Sequence, residues 1–157
     1  MTRLIATLLL STLAGIARAD CSVSQLSGNY AFFVSWIDAG REGFMSGKME
    51  LSAGGRAVLR GARLSYKDNS GLVLREGFAT GKFGVAAMCT GYLEIEFTDR
   101  DADAKIASLT GDIVVSGSRV DPDIQGASRL TIKALPPSLQ VIRTDLLGRL
   151  SMRRSSF

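Results

Sequence analysis

Between Asn29 and Lys133 the chain runs as a series of short stretches in which apolar and polar residues alternate, divided by glycine, asparagine and aspartate. No other feature constrains the fold as strongly, because a period of two sends alternate side chains to opposite faces of a strand and has no counterpart on a helix. The runs are Asn29 to Ile37, Phe44 to Leu51, Arg56 to Tyr66, Leu72 to Thr80, Gly81 to Met88, Gly91 to Thr98, Ala104 to Thr110, Asp112 to Gly117 and Ala127 to Lys133. Strands spaced roughly ten residues apart predict an all-β antiparallel domain. An up-and-down β-barrel of about eight to nine strands is preferred to a sandwich, since no run carries the prolines or inward lysines that protect an open edge. The glycines at 47, 61, 77, 84, 91, 111 and 117 fall inside or beside strands, where they permit the bends of a small barrel.

The ends of the sequence read differently from its middle. Arg3, an apolar run from Leu4 to Ile16 and the small residues of Ala17-Arg18-Ala19 have the form of a secretory signal peptide, so residues 1–19 are expected to be a leader. That run is too short for a spanning helix, and no later segment is long and apolar enough. Removing it takes Arg3 and Arg18, which leaves 17 of the 19 basic residues against 15 acidic ones and lowers the net charge from +4 to +2. The surplus sits after Pro137, so the body has no basic stripe of the kind a nucleic-acid surface needs. Residues 20–137 are expected to form one barrel domain. In residues 138–157, Ser138 to Leu150 is expected to form a short C-terminal helix burying Leu139, Ile142, Leu146 and Leu150, followed by a basic tail. Arg149, Arg153 and Arg154 are then candidates for contact with an anionic envelope surface.

A periplasmic or secreted location makes a disulfide the natural state of the two cysteines, Cys21 and Cys89. The bond would tie the chain's entrance to the middle of its sheet.

Cys21 with Leu26-Ser27-Gly28-Asn29-Tyr30-Ala31-Phe32, and later Cys89-Thr90-Gly91, resembles a group of small exported bacterial β-rich proteins of unassigned function. The Gly28-x-aromatic start is also similar to the first strand of lipocalins, fatty-acid-binding proteins and avidins, although these usually have tryptophan where Tyr30 stands. That second likeness implies a ligand-holding barrel.

The available chemistry is narrow. There is no histidine, which removes Ser-His-Asp and Cys-His catalysis and histidine-bound zinc. Pairing the cysteines would remove thiolate chemistry as well, and no phosphate loop or dinucleotide fingerprint is present. Glu94 and Glu96 share a face with Tyr92, either as a solvated outer surface or as an acid and base pair. Asp99-Arg100-Asp101-Ala102-Asp103 lacks the glycine and distal glutamate of a calcium loop and reads as an acidic hairpin turn. The preferred expectation is a non-catalytic protein with no catalytic residue, metal site or cofactor assigned; a carboxylate-dependent enzyme is a third reading and would need two acids converging in a cleft.

A binding role remains. Phe32, Val34, Trp36, Met45, Met49, Leu74 and Phe78 are predicted to line a cavity for a small, largely apolar ligand. Glu76 is in phase with Leu72, Leu74 and Phe78, and Arg60 with Val58, Ala62, Leu64 and Tyr66. With a loop from Lys67 to Gly71, Ala62 faces Glu76 and Arg60 becomes its diagonal neighbour, an inward pair that would be either a specificity device in the core or the polar floor of a pocket. The same register sets Arg63 against Arg75, an unfavourable opposition. The alternative is a structural or protein-interaction module of the cell envelope whose barrel core is filled.

Overall fold

In the computed structural model, residues 21–38, 41–68, 71–118, 120–133 and 141–156 are described; the leader expected over residues 1–19 lies outside them. These residues form eight strands: β1 (Gly28–Asp38), β2 (Arg41–Leu51), β3 (Arg56–Asp68), β4 (Gly71–Val85), β5 (Thr90–Asp99), β6 (Ala104–Gly117), β7 (Pro122–Lys133) and β8 (Val141–Arg154). Each strand pairs antiparallel with the next and β8 returns to β1, giving a closed up-and-down barrel. Closure leaves no row of unpaired backbone groups, so the sheet needs no edge protection.

Two pairs of predicted strands are single long ones. Leu72 to Thr80 and Gly81 to Met88 merge in β4, and Ala104 to Thr110 and Asp112 to Gly117 merge in β6. Gly81 and Gly111 stay within the ladders, opposite Ile95 and Leu93 on β5, and do not break them.

The expected C-terminal helix is overturned: Val141 to Leu150 belongs to β8. Leu146 and Leu150 are four residues apart, a spacing that suits one face of a helix and one face of a strand equally. Gly148 and Met152 continue the inward phase, and β1 and β7 each have a side that only another strand can pair. Leu146, Leu150 and Met152 are buried. Leu139 and the Ser138 cap lie outside the described residues.

The inward side chains of the described strands form one buried apolar cluster. Tyr30, Val34, Met45, Met49, Leu59 and Leu150 have no exposed surface, and they belong to one apolar cluster contributed by all eight strands. Trp36 lies between Gly43 on β2 and Gly148 on β8, and a Cβ on Gly43 would overlap its indole.

The end at which β1 begins is closed by residues 21–27, and Cys21 is joined to Cys89 in the β4–β5 turn. Leu26 seals that end, and Tyr30 Oη donates to the Leu26 carbonyl at 2.8 Å. Arg154 locks the arrangement from β8. Its Nη2 donates to the carbonyls of Ser27 (2.8 Å) and Gln25 (3.3 Å), and Nη1 to that of Val120 (3.1 Å). At the opposite end Asp99, 1% exposed, accepts the N–H groups of Asp101 and Ala102 and shapes the β5–β6 turn.

Candidate interaction surface on the barrel wall

The predicted cavity residues divide into two groups. Phe32, Val34, Trp36, Met45 and Met49 face inward as expected, but they are packed against one another with 0–4% of their surface exposed. Arg60, Leu74, Glu76 and Phe78 are on the outside, which corrects the inward assignment of these four. Two local features reverse them. Asp68 pairs with Gly71, so the β3–β4 connection is two residues long and Arg63, not Ala62, faces Glu76. A one-residue slip in register carries a whole strand face to the other side. In β3 the ladder shifts between Leu59 and Ala62, where Gly61 adopts φ +55°. The inserted residue keeps Ala62, Leu64 and Tyr66 inward while turning Arg60 outward.

The expected opposition of Arg63 and Arg75 disappears with the same slip. Arg63 Nε lies 3.4 Å from Glu76 Oε1, and Arg100 reaches the other oxygen of that carboxylate at 3.6 Å. Arg60 pairs with Glu50 at 3.4 Å on the outer face. Arg75 turns inward near the far end, with Nε 3.9 Å from Asp99 Oδ2 and, among the described residues, no hydrogen-bond partner for that nitrogen.

Glu94 and Glu96 form a solvated outer face. Glu94 meets Lys82 at 3.1 Å and raises that lysine's pKa by hydrogen bond and charge, while Glu96 pairs with Lys105. The two carboxylates are therefore neutralised separately and do not converge on a shared substrate position. Asp99 to Asp103 makes a hairpin turn, and among the described residues no three metal-ligating side chains come together.

Of the basic residues at the C-terminal end, Arg149 and Arg153 project from the outer wall. Arg154 is held by the three carbonyls, and its guanidinium carbon is 5.7 Å from the centre of the Tyr30 ring. Burial of Tyr30 pushes its hydroxyl pKa above the ordinary value of 10.0, against the opposing charge and hydrogen bond of Arg154.

A groove of about 600 Å³ runs along the outside of β8, β1 and β2. Phe33, Trp36, Ile37, Phe44 and Leu147 supply its apolar lining, with Glu42 and Arg149 among the other lining residues. Phe33 and Phe44 stack with centroids 6.1 Å apart and an interplanar angle of 20°. Ile37 and Leu147 are 69% and 70% exposed, far more than a packed wall requires. Leu72, Leu74 and Phe78 add exposed apolar surface on β4. The groove residues were absent from the predicted site, yet β1 carries their signal: Phe33 and Ile37 alternate with Phe32, Val34 and Trp36, making the strand apolar on both faces.

The rest of the wall carries many charges, with Lys48, Glu50, Arg60, Lys82, Glu96, Lys105 and Arg129 exposed. A lysine or arginine facing lipid would cost about 2–4 kcal/mol at the middle of a bilayer, so this wall suits water. The class defined by fold and surface is thus a closed, disulfide-linked β-barrel with an apolar core and, among the described residues, an apolar groove across β8, β1 and β2 on an exterior that carries many charges. Compared with known proteins, the chain matches no family model, no curated protein and no solved structure.

Proposed function

We propose that this protein is a non-catalytic interaction module, exported to an oxidising compartment, whose wall groove docks a protein chain. The observation that carries this reading is the coexistence of buried inward side chains, Phe32, Val34, Trp36, Met45 and Met49 among them, with the exposed groove around Phe33, Ile37, Phe44 and Leu147. Exposed apolar patches bounded by polar residues mark docking sites, and stacked aromatics supply large contact area with little side-chain entropy to lose. A small apolar ligand inside the barrel would have to displace Phe32, Val34, Trp36, Met45 and Met49 from a close-packed core. The Cys21–Cys89 bond supports the location, since such bonds persist where thiols are not kept reduced.

A photo-crosslinking residue placed at position 33 in the full chain, with position 60 on the outer face of β3 as control, tests the docking role. Protein adducts are expected from position 33 and not from position 60. Native mass spectrometry of the purified protein is expected to give the mass of the polypeptide without a retained small molecule. Absence of adducts at 33, equal adducts at both positions, or a retained apolar compound would overturn the reading.

A further inference from the structure

We infer that the chain docked in the groove is a second copy of this protein, held groove to groove about a two-fold axis. This rests on the docking role proposed above and specifies its partner. A closed barrel offers no strand edge to extend, so association must proceed through side chains on the wall. The groove's charges then determine what fits. Ser35 on β1 has Arg149 beside it on β8 and Phe44 beside it on β2, while Ile37 has Glu42 beside it on β2. Arg149 and Glu42 therefore flank β1 on opposite sides, offset by two residues along it. Both side chains are exposed, and neither has an ion-pair partner among the described residues.

A surface with one positive and one negative corner matches itself when a two-fold axis exchanges the corners. With strands about 4.8 Å apart and about 6.6 Å between alternate residues, the axis lies in the contact plane, perpendicular to the line from Arg149 to Glu42. It runs close to the other diagonal, from Leu147 to Phe44. Glu42 of each copy then meets Arg149 of the other, while Phe44 and Leu147 approach their own counterparts. The apolar residues supply the contact and the two symmetric ion pairs fix its register.

Charge reversal tests this arrangement in the full-length, oxidised protein. Sedimentation equilibrium is expected to show a dimer for wild type. E42R alone turns both ion pairs into contacts between two positive side chains, and R149E alone turns both into contacts between two negative ones, so each variant is expected to dissociate at least about tenfold more readily. An equimolar mixture of E42R and R149E restores both complementary contacts and is expected to dimerise, as is the double variant E42R/R149E. Thermal unfolding checks that the exposed substitutions leave the barrel folded. A wild-type protein that stays monomeric, or single reversals that dimerise unchanged, would overturn the two-fold pairing. Adducts from position 33 to a different protein would retain the docking role while removing the self-pairing, whereas no adducts at all would remove both.

Discussion

Tyr30 shows how one side chain joins the core to the polar rim. Its ring is fully buried and its hydroxyl donates to the Leu26 carbonyl, the group that folds residues 21–27 over the barrel end. Tyr30→Phe strands that carbonyl and is expected to cost about 1 kcal/mol in denaturant unfolding. The loss depends on pH in a definite direction. Because burial raises the folded-state pKa, the tyrosine's contribution is complete below its ordinary value of 10.0 and declines as pH rises from there through the folded value. The stability gap between wild type and the phenylalanine variant should therefore narrow above about pH 10; a gap that widens would contradict the burial of a protonated hydroxyl.

At the scale of the elements, the turns and bulges decided what could be read from the sequence. In β1 and β2 period-two alternation runs unbroken, and the inward positions of Phe32, Val34, Trp36, Met45 and Met49 are legible. In β3 and β4 two small irregularities defeated the same logic. Gly61 inserts a residue and the β3–β4 connection is shorter than its turn-rich sequence implies, so Arg60, Leu74, Glu76 and Phe78 appear on the wrong face. The electrostatic conflict between Arg63 and Arg75 was the sequence's signal that the register needed to slip. In β8 the ambiguity was periodic, because Leu146 and Leu150 satisfy a helix as well as a strand. Only the need to pair β1 and β7 resolves it. The bulge itself is testable. A Cβ on Gly61 would touch nothing within 4 Å, so crowding is absent and positive φ is the main obstacle to substitution. Gly61→Val is expected to lose at least about 1 kcal/mol, whereas Gly61→Asn, tolerant of that conformation, should lose only a few tenths. Equal losses in a denaturant titration would remove backbone conformation as the cause.

For the molecule as a whole, the disulfide and the continuous core divide the task of holding the barrel closed. Cys21 and Cys89 are 68 residues apart in sequence, and constraining a loop of that length contributes about 4 kcal/mol in the chain-entropy description. The Cys21→Ser/Cys89→Ser variant is expected to unfold at lower denaturant by about that amount while keeping its β circular dichroism. An unchanged midpoint would mean that residues 21–27 and the Arg154 contacts close that end unaided. The fold class and the covalent link were legible because strand periodicity and cysteine number are properties of the chain itself. The groove was less so: its residues come from three strands, and their proximity follows from the pairing of β8 with β1. That seam also has a consequence for assembly. β1 cannot be paired on its outer side until β8 is in place, so any partly assembled sheet has two adhesive flanks. Until the last hairpin folds back, those flanks must be shielded by something other than the sheet itself.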